Sequence, residues 1–352
     1  PLSNAFSSRI VNTICKTLCN PPIPSIPSFL FSQENDKKVY FFCDEFTNYN
    51  DVEVGKKAIL LLQKLGYEVI IPNHVESGRT YLSKGMVREA QKIAIQNVEL
   101  LKGIVSEETP IIGLEPSAIL TLRDEYLELV PQDLRDSAEK IAKNTFQFDE
   151  WFAREIDRGN IKKEAFSTEK RLIKLHGHCH QKAFGLMPSV TQVIQLIPEA
   201  KVDLIESSCC GMAGSFGYEA SHLEVSKQMA ELSLLPAIRQ APDSWVVADG
   251  TSCRHQIQDG AQRDAVLRAK AKALRGTCYT VDVLLTRQQQ ANKLGLMPAA
   301  KRAAAAGQRV QWRYDRLYID GKEHRGAGSL PAPLNPSSRP PAAIPSGLLA
   351  GR

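Results

Sequence analysis

From Lys38 onward, short apolar runs rich in β-branched and aromatic residues alternate with longer stretches whose apolar positions recur at helical spacing. The runs VYFFC (39–43), YEVII (67–71) and PIIGL (110–114) read as strands, and residues 54–65 and 84–102 as helices. A charged helical segment covers about 132–162. The order then returns as RLIKLH (171–176), a helix near Thr191, KVDLIE (201–206), a helix over 220–239, WVVAD (245–249) and a helix after Ser252. Strands separated by helices need crossover connections, and crossovers make strands parallel. The predicted fold is α/β, with two pseudo-repeated strand–helix half-domains and mainly parallel sheets.

The flanks break this pattern. Residues 1–37, where Pro21, Pro22, Pro24 and Pro27 crowd together, read as a linker from an upstream region. The first half-domain is expected over 38–165 and the second over 166–275. Residues 276–352 form a basic Pro/Ala-rich tail with six prolines between Pro331 and Pro345, expected to be extended or disordered. Within it CYTVDVLL (278–285) is a candidate for one more strand.

The 352 residues are 43% apolar and 24% charged, which excludes disorder throughout and suits about two domains. No run approaches the roughly 18 apolar residues of a membrane-spanning helix. The chain begins at Pro1 without a secretory pattern, so it reads as a fragment or a processed product. Eight cysteines are few for a disulfide scaffold of this length, which favours metal or redox chemistry in a reducing compartment. The cytoplasm is the expected location, with peripheral contact at the inner face of the membrane as the further option. Residues 1–260 hold 28 Lys and Arg against 34 Asp and Glu, whereas 261–352 hold 16 against 5. A nucleic-acid partner for the body is therefore not expected.

The chemistry concentrates in the second half. Cys179, Cys209, Cys210 and Cys253 each follow a predicted strand, and in a parallel sheet the carboxyl ends of the strands share one edge where cofactors bind. Adjacent cysteines make a poor disulfide with each other, but two neighbouring thiolates can both ligate a metal or cluster. Gly211 and Gly214 supply the permissive backbone that a loop around a bulky cofactor needs. His176, His178 and His180 surround Cys179, and His255 follows Cys253. Cys43, His178 and His255 are further candidate ligands.

Aligning the halves after each strand pairs Cys43 with Cys179, Glu76-Ser77-Gly78 with Cys209-Cys210-Gly211, and Ala118 with Cys253. Only the second half keeps the thiols. Asp44, Glu45, Asn48, Asn50, Ser77, Arg79, Glu115, Arg123 and Asp124 lie at the matching edge of the first half, where capping and pairing at the seam are expected. No nucleophile elbow, P-loop or zinc-protease motif competes.

Six segments in order, FFCDEFTNYND (41–51), SGRTYLSKG (77–85), LEPSAILTLRDEY (114–126), HGHCHQKA (176–183), CCGMAGSFGYE (209–219) and GTSCRHQI (250–257), carry a resemblance. Residues 38–260 resemble the cysteine-rich CCG domain. That domain occurs in a subunit of heterodisulfide reductase, in the iron–sulfur subunits of glycolate oxidase and anaerobic glycerol-3-phosphate dehydrogenase, and at the C-terminus of fused FAD-binding iron–sulfur oxidoreductases similar to D-lactate dehydrogenases. The resemblance implies an electron-transfer module that relays electrons from flavin to an acceptor such as a quinone, in an enzyme that oxidises a 2-hydroxy acid such as D-lactate or glycolate. It places FAD and a ferredoxin-like segment on a domain or subunit outside this chain, and implies that the module is inactive alone. It implies a [4Fe–4S] cluster on Cys179, Cys209, Cys210 and Cys253, with Gly211 at the cofactor. Gly250 stands where the family's C-x-x-C has its first cysteine, leaving four thiols rather than five. Zinc on the same four residues, as a structural site, is the alternative.

Overall fold

β1 (Lys37–Phe41) points Val39 and Phe41 into the interior, the alternation expected of a strand with one face on a core. The computed structural model describes residues 37–263 and the strand residues 310–313, 316–319 and 322–324. β1 pairs in parallel with β2 (Tyr67–Ile70) and β3 (Ile111–Gly113), and β4 (Thr145–Gln147) adds to β3, giving the order β2-β1-β3-β4. In the second sheet β5 (Leu172–Leu175) lies between β6 (Lys201–Leu204) and β7 (Trp245–Val247), again parallel. Each sheet thus has its first strand between its second and third. The strands that start at 37, 67 and 111 recur at 172, 201 and 245, an offset of 134 or 135 residues. The α/β class and the repeated parallel arrangement are those read from the sequence.

Of three predicted helical stretches, one is shortened and two are divided. Residues 84–102 become the helix Val87–Leu101 after a short turn of helix at Arg79–Leu82, and Gly85 at φ +69° separates them. Residues 220–239 become Leu223–Leu232 and Leu234–Arg239. Pro236 has no N–H to continue the ladder, but it is tolerated in the first turn of a new helix, where that donor is unused. Residues 132–162 hold the helices Arg135–Lys143 and Phe148–Asp157 with β4 between them. Thr-Phe-Gln shows no period of its own; it becomes a strand because β3 presents an edge, with Ile111 opposite Thr145.

One apolar cluster joins the two sheets. It runs from Val39 and Phe41 through Phe148 and Phe152 to Ile173 and Trp245, and the helix Phe148–Asp157 packs against Met187–Ile194. At roughly 25 cal/mol per Å² of buried apolar surface, this shared interior opposes separation of the two halves.

In the tail expected to be extended, β8 (Val310–Arg313), β9 (Arg316–Ile319) and β10 (Lys322–His324) pair antiparallel in sequence order. The Asp320-Gly321 pair between β9 and β10 is a strong two-residue hairpin signal, a turn chemistry that composition alone conceals. The leading linker to residue 36 and the segment 278–285 lie outside the described residues. Among the described residues no helix is long and apolar enough to cross a membrane.

Candidate metal centre

The three loops that carry the cysteines are positioned by the strand ends before them. After β5 the chain reaches His178, which caps the helix Cys179–Ala183: its Nδ1 accepts from the His180 N–H at 3.2 Å, and its own N–H donates to the Gln181 side chain at 2.8 Å. This reciprocal arrangement satisfies donors at the helix start and places Cys179 as the first helical residue. After β6 comes the Cys209-Cys210-Gly211 loop. Gly211 at φ +88° turns the loop in a backbone region that L side chains avoid. After β7 the helix Thr251–Arg263 brings Cys253 inward, buried at 2%. Gln256 of this helix donates to the Cys210 carbonyl at 2.8 Å and to Ser226 O at 3.0 Å, latching the loop to the helix Leu223–Leu232.

Lys182 marks where the loops meet. Its ammonium donates to Ser207 O, and to Ser208 O at 2.8 Å. Burial pushes its pKa down, while the four nearby thiols Cys253, Cys179, Cys209 and Cys210 pull it up. Cys209 is hydrogen-bonded to Cys210, and Cys210 to Cys253. Cys179 feels Cys209, and Gly211 N–H donates to Cys209 Sγ at 3.3 Å. All four carry free thiols. The ligand atoms of His176, Cys210 and Cys253 lie within 4.8 Å of one another, as do those of His178, Cys179 and His180. A donor set of four sulfurs beside a lysine and a backbone N–H fits a thiolate-bound metal or cluster.

The electrostatics suit a site whose ligands deprotonate on loading. Burial raises the Cys179 thiol. Cys209 is raised by its bond to Cys210 and by burial. For Cys210 the bond with Cys209 lowers the pKa, but the bond with Cys253 and burial outweigh it. A metal must therefore displace protons from these groups. Burial pushes His176 down to about 3, and His178 and His180 down to about 4, so all three rings are neutral at pH 7.

His255 stands at the rim, where its Nδ1 meets the Tyr218 hydroxyl at 2.5 Å. Cys43 packs against the apolar cluster between the sheets, and burial raises its thiol to about 12. Sequence reasoning passed over Lys182, although its place three residues after Cys179 on one short helix was a legible signal.

The pairing of Cys43 with Cys179 is two residues out. Asp44 caps the helix Glu45–Tyr49, accepting from Phe46 N and Thr47 N at 2.9 Å each, as His178 caps Cys179–Ala183. Glu45 is thus the counterpart of Cys179. Its carboxylate accepts from Ser77 N–H at 2.8 Å and Ser77 Oγ at 2.7 Å, and Gly78 at φ +79° matches Gly211. A carboxylate–serine contact occupies the place that thiols hold in the second half. A gap of unequal length hid this shift, because helix starts align by their caps and not by residue identity.

The first half also closes the seam beside the cysteines. Glu115 accepts from Thr251 N–H at 2.8 Å, and Asp51 accepts from Thr251 Oγ1 at 2.6 Å and from Arg254. Lys84 pairs with Glu219 of the CCG loop, and Gln181 donates to Gln147 Oε1 at 3.2 Å.

No protein-family model matches the chain. Over 230 residues it is 27% identical to the D-2-hydroxyglutarate dehydrogenase of Pantoea ananatis, covering 65% of this chain and 22% of that protein. Over 229 residues it is 28% identical to a subunit of the anaerobic glycerol-3-phosphate dehydrogenase of Escherichia coli, covering 63% and 54%. Over 245 residues it is 22% identical to an uncharacterised iron–sulfur protein of Methanocaldococcus jannaschii, covering 69% and 45%. The chain is similar to oxidoreductases and their subunits. It spans about a fifth of the hydroxyglutarate dehydrogenase and about half of the glycerol-3-phosphate dehydrogenase subunit.

Proposed function

We propose that this chain is the iron–sulfur electron-transfer module of a flavin-linked oxidoreductase that oxidises a 2-hydroxy acid. The observation that carries the reading is that four free thiols, from loops after β5, β6 and β7, all act electrostatically on Lys182. Cys179, Cys209, Cys210 and Cys253 would hold the metal centre, on the half-domain 166–275. An iron–sulfur cluster supplies one-electron transfer when bound. The residues of this chain do the rest. Lys182 offsets the negative charge of the thiolates, Gly211 N–H donates to Cys209, and burial of Cys210 and Cys253 keeps water from them. The half-domain 38–165 serves as a cover whose own equivalent site is filled by Glu45 and Ser77. The similarity to D-2-hydroxyglutarate dehydrogenase and to a subunit of an anaerobic dehydrogenase supports a flavin partner in another domain or subunit, and electrons passing from it to a separate acceptor.

Iron, acid-labile sulfide and zinc per chain, measured on protein purified without oxygen, test this for the wild type and Cys210→Ser. Iron and sulfide near four each, lost in the variant, are expected for a [4Fe–4S] centre. Zinc near one with no sulfide would replace the reading by a structural zinc site on the same cysteines.

A further inference from the structure

Among the described residues two sets of three side chains bring ligand atoms within 4.8 Å of one another, His176 with Cys210 and Cys253, and His178 with Cys179 and His180. The second set is three consecutive residues at a helix start, where the chain itself keeps them close. Its His178 Nδ1 is engaged by the helix cap, accepting from His180 N–H at 3.2 Å, and Cys179 and His180 are half-buried. The first set is assembled by the fold, from the ends of β5, β6 and β7, and its members are 1%, 3% and 2% exposed. Each is held from behind. His176 N–H donates to Val247 O at 2.9 Å, which fixes the end of β5 on β7. Gln256, on the same helix as Cys253, donates to the Cys210 carbonyl at 2.8 Å, so the two thiols share one support, and they are hydrogen-bonded to each other. Ser207 sets the imidazole. Its Oγ lies 2.9 Å from His176 Nδ1, accepts from Lys182 Nζ at 3.3 Å and donates to Ile205 O at 3.4 Å. A hydroxyl whose one proton goes to a carbonyl accepts from Nδ1–H, which leaves the ring lone pair on Nε2.

We propose that, in the chain without a cluster, His176, Cys210 and Cys253 bind a single divalent ion, zinc or ferrous iron, through Nε2 and the two sulfurs, and that Cys179 takes no part. Imidazole and thiolate donors together suit ions of this borderline softness. Charge favours the mixed set. A divalent ion on one neutral imidazole and two thiolates carries no net charge, whereas four thiolates leave it at −2 against the single charge of Lys182, and an uncompensated charge is costly in a buried place. Loading displaces one proton from each of the two thiols. The inference goes beyond the iron–sulfur reading: a cluster on four thiols and a lone ion on two thiols and an imidazole are different loads that compete for Cys210 and Cys253.

Cobalt(II) tests this as a spectroscopic stand-in for either ion, added without oxygen to the full chain prepared free of metal; protein grown with cobalt in the medium carries the test if the metal-free chain does not stay folded. The wild type should take one cobalt per chain, with a thiolate-to-cobalt absorption band and, at the cobalt X-ray edge, sulfur neighbours together with the outer-shell scattering of an imidazole ring. His176→Ala should weaken binding at least about 10-fold, the least that even an outer partner of a ligand contributes. His176→Cys should restore binding without the imidazole scattering, which separates loss of a ligand from loss of the fold. Cys179→Ser should bind cobalt as the wild type does. Cobalt held equally well by His176→Ala would overturn the proposal, and so would a shell of sulfurs without imidazole in the wild type or binding lost in Cys179→Ser. Iron and sulfide on anaerobically purified protein are read separately, so their absence overturns the proposed function and not the ion site.

Discussion

Gly211 and Gly66 both hold left-handed backbone, at φ +88° and +91°, but their surroundings differ. A Cβ on Gly66 meets nothing within 4 Å, whereas one on Gly211 would run into Ser226 O and approach Met229 Cβ at 3.0 Å and Gln256 Nε2 at 3.1 Å. Left-handed backbone costs an alanine roughly 1–2 kcal/mol at either place. Crowding in a packed interior adds about 1–3 kcal/mol at Gly211 alone. Gly211→Ala should therefore lose about 2–5 kcal/mol and Gly66→Ala about 1–2, read from urea denaturation midpoints of the full chain. The difference isolates crowding from backbone strain, since the strain is common to both. It also has a functional consequence. Relief at Gly211 must move either Ser226 or the Gln256 amide that holds the Cys210 carbonyl, so the CCG loop shifts with it. Gly211→Ala should retain less than about half the iron of Gly66→Ala under the proposed function. Equal losses of stability in the two variants, with equal iron, would refute the claim that the loop is clamped at this glycine.

The buried His178 gives the fold a pH dependence. Its pKa in the fold, about 4, lies below the ordinary value near 6.5, so its contribution is full above pH 6.5 and is lost as pH falls toward 4, where the unfolded chain binds the proton and the fold does not. Between pH 7.5 and 5 the metal-free wild type should lose roughly 2 kcal/mol more than His178→Gln in urea denaturation, and parallel losses would contradict the burial argument. Glu115→Ala should cost about 1–3 kcal/mol by leaving Thr251 N–H and Ser117 Oγ without their acceptor. Hydrogen exchange at the Thr251 amide should accelerate in that variant, and unchanged protection would show that the seam does not depend on Glu115.

What could be read along the chain was local. The alternation of β-prone runs with amphipathic stretches set the α/β class, and HGHCH, CCG and GTSC after three of those runs marked the edge where chemistry could gather. Val39 and Phe41, or Trp245, Val246 and Val247, declare themselves because a buried face is written in the order of apolar residues. The DG pair of the tail hairpin was equally local, but it was concealed by the basic, alanine-rich composition around it.

The rest depended on which elements became neighbours. Thr145–Gln147 is a strand because β3 offers an edge, and three residues are too few to show a period. Glu45 rather than Cys43 corresponds to Cys179 because capping geometry sets where each helix starts. Lys182 feels four thiols from three loops, Glu115 reaches Thr251 across 136 positions of sequence, and the ring of His178 fills the space beside Gly250. Hydrophobic periodicity reports that a residue faces a core, but it holds no record of what stands opposite. That is settled by sheet order and packing, and only the folded chain brings those partners within reach.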